Sequence, residues 1–281
     1  MLFFLATSRW KSEFVQHQKP PDPRRHRLRP GALCWGASLF ERKPVKSHYQ
    51  YLFAALLLVA AAQPCLPQKL FQKQLSEWTD SFDIENCQFT TAGENRYFLL
   101  KPSYRLVLEG INGKDTTTLV ITVLNETKRI GNVETRVVEE RESVNGHIVE
   151  ISRNFFAFCT QTNTVFYFGE DVDIYKDGKV SSHGGAWRAD AGGAKAGVMM
   201  PGLALLGSRY YQEIAPRVAM DRVVIVSTSE TIETPAGKFV NCLKAEETTS
   251  LEPAVKEYKL YAPGVGLVKD GELVLKKFGF Q

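Results

Sequence analysis

The chain has 281 residues, 44% of them hydrophobic and 23% charged, with a formal net charge of +4. Residues 1–50 hold ten of its 35 Lys and Arg but three of its 31 Asp and Glu, leaving 25 basic against 28 acidic residues beyond them. The positive balance belongs to the leading stretch, so no basic face for nucleic acid follows from it.

Met1–Pro44 is rich in Arg, Lys and Pro and has no hydrophobic period. It reads as a basic lead, either disordered or lying upstream of the true start. Residues 45–62 read as an export signal: Lys43, Lys46 and His48 precede the twelve apolar residues Tyr51–Ala62, which end in the small residues Ala60-Ala61-Ala62 that a signal peptidase accepts. As a helix this run would span roughly 18 Å, too short for a ~30 Å hydrocarbon layer. The expectation is a periplasmic or secreted protein with no transmembrane span after processing.

Cysteine usage fits an oxidising compartment, with Cys65, Cys87, Cys159 and Cys242 beyond the signal. Pro64 before Cys65 argues against lipid attachment there, and no spacing suggests zinc. Spacing alone leaves three pairings open. Cys159 and Cys242 each fall on an expected strand and form the favoured pair, with two buried thiols as the alternative.

Residues 63–96 read as a helix and linker. The helix is expected over Pro67–Asp80, where Leu70, Phe71, Leu75 and Trp78 share a face. Residues 97–281 read as one antiparallel β domain. Runs rich in β-branched and aromatic residues follow one another at Tyr104–Glu109, Thr116–Asn125, Val133–Glu140, His147–Phe158, Thr164–Phe168, Val172–Tyr175 and Lys179–Ser182. Asn145-Gly146 is the strongest hairpin signal, because both residues accept positive φ. His183–Pro201 interrupts the pattern as a Gly/Ala-rich loop. Strands resume at Arg209–Glu213, Asp221–Ile232, Lys238–Thr248, Val255–Tyr261, Val265–Lys269 and Glu272–Phe278. Short links without helical crossovers favour a mainly β fold: a single large curved antiparallel sheet, half-barrel-like, with a short N-terminal helix.

Phe155-Phe156-Ala157, Phe166–Asp173 (FYFGEDVD), Trp187 with the stretch to Met200-Pro201, Tyr211–Pro216, Thr234–Gly237, Asn241–Lys244, Leu251-Glu252-Pro253 and Tyr261–Gly266 (YAPGVG) occur in an order that resembles a family of exported bacterial proteins of unknown function. The resemblance implies a curved antiparallel sheet, akin in shape to periplasmic lipoprotein carriers, and brings no catalytic residues with it. Gly184 and Ala186 depart from the acidic residue and the Ser that the resemblance leads one to expect there.

The densest acid cluster is Glu170, Asp171, Asp173 and Asp177. Its plain reading is a solvated strand edge running into a Lys-Asp-Gly turn. The functional reading is a Ca²⁺ site on Asp171, Asp173 and Asp177, although the spacing matches an EF-type loop only in part. No other cofactor is called for. His147 and His183 lie near no nucleophile motif. In the His183–Pro201 loop, Trp187, Met199 and Met200, together with Tyr167, are the candidate ligand contacts: glycines let a loop approach a ligand, and these side chains offer apolar surface. The plain reading there is a loop whose Trp and Met plug the core.

The function expected is therefore non-catalytic binding or structural work in the cell envelope, with a small apolar molecule or an envelope component as partner. The concave sheet face is the expected place for an apolar ligand. The alternative is a carboxylate- or metal-dependent hydrolase using Glu170, Asp171 and Glu213.

Overall fold

The computed structural model describes residues 77–281. The basic lead, the signal segment and most of the expected helix lie outside the described residues. Glu77–Asp80, the described end of that expected helix, are not helical, and Thr79 forms a parallel bridge to Tyr210.

In chain order the strands are β1 (Phe89–Thr90), β2 (Gly93–Asn95), β3 (Phe98–Leu100), β4 (Tyr104–Asn112), β5 (Asp115–Ile130), β6 (Val133–Val144), β7 (His147–Cys159), β8 (Thr164–Lys176), β9 (Lys179–Ser182), β10 (Trp187–Arg188), β11 (Lys195–Met200), β12 (Arg209–Tyr211), β13 (Glu213–Ile214), β14 (Asp221–Thr234), β15 (Gly237–Thr249), β16 (Lys256–Ala262), β17 (Gly266–Asp270) and β18 (Leu273–Phe280). The expected mainly β fold is what forms, as one large curved antiparallel sheet. Its order is β12-β14-β15-β16-β17-β18-β4-β5-β6-β7-β8-β11-β13. The hairpins follow from local chemistry. Asn145 and Gly146 take φ of 52° and 81°, the left-handed pair that lets a two-residue turn match the twist of β6 and β7.

The segment Arg209–Ile214 all but closes this sheet into a barrel. Its first half, β12, pairs with β14 at one edge. Its second half, β13, pairs with β11 at the other. Between them the Gln212 N–H donates to the Asp221 carbonyl at 2.8 Å. One short stretch of chain thus pairs with part of both edges, which would otherwise be exposed to mispairing.

Two stretches that the sequence pattern leaves as loops are partly strands. Lys195–Met200, inside the expected Gly/Ala loop, is β11 and lies antiparallel to β8. Its small residues carry little β signal, and the pairing partner supplies what propensity does not. Upstream, β2 and β3 form a separate hairpin across Gly93–Leu100, where Phe98 meets Phe156 edge-on.

The disulfide joins Cys87 to Cys159, with Cα atoms 5.3 Å apart, and corrects the expected Cys159–Cys242 pair. The reason is topological. Cys159 ends β7, which takes β1 as a partner with Phe89 opposite Cys159, so Cys87 lies close by. Cys242 lies on β15, which pairs with β14 and β16 and never meets β7; its thiol is buried and free. Among the described residues no helix is long and apolar enough to cross a membrane.

Candidate functional site

Side chains alternate across a strand, so parity decides which of them enter the barrel. On β6 the inward set runs Val138, Glu140, Glu142; on β7 it runs Glu150, Ser152, Asn154, all buried. Across the barrel, β15 and β16 place Glu247 and Lys259 inward, and β17 places Asp270 opposite Lys259. β8 breaks parity. The register slips between Asn154↔Glu170 and Phe156↔Tyr167, so Tyr167 and Glu170 both face inward although they are three residues apart. Gly169 makes this bulge: its φ is +132°, and a Cβ there would stand 2.2 Å from the Trp187 carbonyl oxygen.

The outcome is a belt of acids inside the sheet. Among the described residues eight carboxylic side chains are buried, Glu140, Glu142, Glu150, Glu170, Glu213, Asp221, Glu247 and Asp270, against two cations, Arg136 and Lys259. Arg136 is occupied elsewhere, donating to the carbonyls of Thr91, Leu124 and Glu126. Lys259 is thus the cation of the belt. Its Nζ lies 2.9 Å from Glu247 and 3.6 Å from Asp270.

Burial penalises the charged form of a carboxyl, and it raises five of these eight, Glu140, Glu142, Glu170, Glu213 and Asp270. Burial pushes Glu140 up to about 8, against the pull of Lys259. Burial, with Glu150 adding repulsion, takes Glu142 up to about 9. Burial followed by the nearby Glu213 raises Glu170 well above the carboxylate range, and burial also raises Glu213. Asp270 is raised by burial despite Lys259. Glu247 is the exception. Burial would lift it, but the Lys259 ammonium, hydrogen bonds from Lys259 and Gln212, and the field of the amino-terminal ammonium together hold it below its ordinary value.

Tyr167 organises the centre. Its hydroxyl donates to the Asn154 amide oxygen, and its oxygen is shared with Glu170 and Glu213. Asn154 in turn donates to the Val138 carbonyl at 3.3 Å and to Ser152 at 3.1 Å. Gln212, on the closing segment, donates to Glu247 at 3.3 Å, beside the Lys259 pair. Polar side chains thus gather inside the barrel in two sets, one around Tyr167 and one around Lys259.

Beside the network is a small cavity of about 50 Å³. Phe98, Leu106, Ile121, Val123, Val138 and Leu267 form its apolar wall, and Glu140 and Lys259 contribute its charged groups. Glu140 Oε2 is buried and accepts no hydrogen bond. This cavity could hold a small polar head on an apolar stem.

The candidate residues from sequence sort unevenly. Of Trp187, Met199, Met200 and Tyr167, only Met199 lines the cavity. Trp187 stacks edge-on against Tyr167 at 5.3 Å, and Met200 is buried opposite Val165. These side chains form core, as the plain reading of the loop has it. Asp171, Asp173 and Asp177 do not converge. Asp171 pairs with Arg188; Asp173 sits 3.4 Å from Arg153 and 3.0 Å from His183; Asp177 occupies the turn with φ 52°. Among the described residues no group of three His, Cys, Asp or Glu could hold a metal ion. Of the hydrolase candidates, Glu170 and Glu213 meet at Tyr167 while Asp171 faces away with Arg188. Sequence reasoning missed Glu140, Glu247 and Lys259. The available signal was their place in period-2 strands, where inward parity would bury them. Comparison with family models, with curated proteins and with solved structures gives no match to this chain.

Proposed function

We propose that this is an exported, non-catalytic binding protein whose barrel takes a small amphiphile, with its apolar part against Leu106, Ile121 and Val123 and its polar end toward Glu140 and Lys259. The observation that carries this reading is the cavity itself: an apolar sleeve ending at Glu140 and Lys259. The polar floor extends the expectation of an apolar ligand on the concave face, because the centre of that face is a carboxyl belt and only its cavity end is apolar. The export signal and the Cys87–Cys159 bridge support work outside the cytoplasm.

The test is calorimetric titration of the purified protein with 1-propanol, whose short stem is on the scale of a cavity of about 50 Å³. Saturable one-site binding is expected, and Ile121→Trp, which fills the sleeve, should abolish it. An absence of saturable binding in the unmodified protein would remove the reading. A hydrolase reading rests on the meeting of Glu170 and Glu213 at Tyr167. Neither residue lines the cavity described above, so the binding reading takes precedence.

A further inference from the structure

The loop between β11 and β12 presents Leu203, Leu205 and Leu206 to solvent, at 73%, 56% and 71% exposure. One exposed leucine is ordinary, but three within four residues make a patch that calls for a partner. The loop is held at both ends. At the first, the Asn95 side chain donates to the Pro201 carbonyl at 2.9 Å and to the Asn163 carbonyl at 2.8 Å. The Gly202 N–H donates to Thr164 Oγ1 at 3.2 Å, and a Cβ on Gly202 would stand 1.7 Å from the Thr162 carbonyl oxygen. At the second, the Gly207 N–H donates to the Ile225 carbonyl at 2.8 Å and the Ser208 N–H to the Leu205 carbonyl at 3.1 Å. The fold fixes the backbone that keeps these side chains off the barrel.

The stretches that anchor the loop carry no charge. No Lys, Arg, Asp or Glu occurs in 196–208, in 154–169 with its β7–β8 turn, or in 223–229 of β14. The turn offers hydroxyls and amides instead, from Thr160, Gln161, Thr162 and Asn163. Arg209, the next cation along the chain, is paired with Glu77. Three leucine side chains expose roughly a few hundred Å², well under the ~800 Å² per partner that a stable protein interface needs. A fluid hydrocarbon requires neither that area nor a matching shape.

We infer that this loop is a membrane-contact tip: Leu203, Leu205 and Leu206 enter the outer hydrocarbon of a bilayer while the uncharged polar groups around them stay at headgroup level. Attachment then rests on apolar burial and needs no anionic lipid, so salt does not screen it. It is weak and reversible, on the scale of a single acyl chain. The inference is independent of the amphiphile reading, since none of the three leucines lines that cavity.

The experiment is co-sedimentation of the full purified protein with phosphatidylcholine vesicles, with and without phosphatidylserine, at low and high salt. Partitioning should be reversible and alike in all four conditions. Leu203→Ser and Leu206→Ser should each weaken it about tenfold, which is near the low end of what full burial of a leucine is worth. The triple variant with Leu205→Ser added should fall to background. Leu205→Trp reports on the tip directly: relative to the parent, its added emission should move to the blue with vesicles and be quenched by brominated lipid. No partitioning of the parent, partitioning only with phosphatidylserine, or partitioning kept by the triple variant would overturn the inference. So would self-association of the parent in lipid-free buffer that the triple variant abolishes, which would give the tip to a second copy. If the triple variant folds poorly, the parent and Leu205→Trp decide the matter.

Discussion

Glu170 and Asp171 are neighbours on one strand and live in different chemistries. Glu170 points into the barrel, is fully buried, and keeps its proton because burial and Glu213 penalise the charge. Asp171 points outward and pairs with Arg188 on β10, where both side chains are well exposed to water. The same contrast runs through the two regions they represent. Inside, among the described residues eight acids are buried, some around the Tyr167–Asn154 hydrogen bond and others around Lys259 and Gln212. Outside, Glu139, Asp173 and Arg153 form a solvated chain in which one guanidinium meets two carboxylates at 3.3 and 3.4 Å. Composition counts these acids alike. Position on the pleat decides whether an acid acts as a charge or as a neutral hydrogen-bonding group.

The sharpest way to break the contrast is to remove the inner cation. Lys259→Met leaves Glu247 and Asp270 without their partner in a water-poor interior, and breaking a buried pair from one side typically costs about 3–5 kcal/mol. We expect that loss in urea denaturation, or failure to accumulate as folded protein. A variant as stable as the parent would mean the belt is neutral without Lys259.

Next in size is the dependence on pH. Glu140 and Glu142 hold their protons in the folded state up to about 8 and 9, against 4.5 for an exposed carboxyl. Between those values the unfolded chain binds fewer protons than the folded one, so stability must fall as pH rises. It is fully present below about 4.5 and is lost progressively through pH 8–9. Each such group can contribute up to about 1.4 kcal/mol per pH unit. We therefore expect a loss of at least about 2 kcal/mol between pH 5 and pH 8, visible as a lower urea midpoint. Glu142→Gln should flatten the slope. A midpoint that rises with pH over this range would show that the belt is ionised in the folded protein.

A smaller effect is expected at the hub. Tyr167→Phe keeps the ring that stacks on Phe156 and Trp187 and deletes the hydroxyl that serves Asn154, Glu170 and Glu213. Leaving those buried groups short of a partner should cost about 1–3 kcal/mol. Equal stability of the two proteins would mean that the three partners satisfy one another without it.

Much of the fold was legible because its hairpins are written locally. The long strands from β4 to β8 and from β14 to β18 carry β-branched alternation and end at turn residues such as Asn145-Gly146 and Asp177-Gly178. What was not legible depends on partners distant in sequence. β11 opens Lys-Ala-Gly, which carries little strand signal, and it lies as a strand between β8 and β13. The Cys87–Cys159 bridge depends on the short strand β1 finding β7. The site was hidden for a related reason. A glutamate every second residue on β6 looks like a solvated face until the sheet curls and turns that face inward, and the bulge at Gly169 conceals that Tyr167 belongs with Glu170. The GEDVD acids drew attention as a cluster in sequence, yet alternation sends Glu170 and Asp171 to opposite faces.

The outer region supplies the smallest prediction and the control for the others. Asp173→Asn removes one carboxylate from Arg153 and His183, leaving Arg153 with Glu139 at 3.3 Å. Asp173, Arg153 and His183 are a quarter to more than two-thirds exposed, so water screens their pairs and replaces what is lost. The expected change is within about 0.5 kcal/mol, and it should leave the pH slope of the parent intact because no buried proton is involved. A loss as large as that of Tyr167→Phe would place the outer acids in the same energetic class as the belt. The distinction drawn from strand parity would then have no thermodynamic content. If Asp173→Asn is silent while Glu142→Gln changes the slope, the two faces of one sheet carry the same residue types for opposite purposes: solvation outside, and a proton store inside.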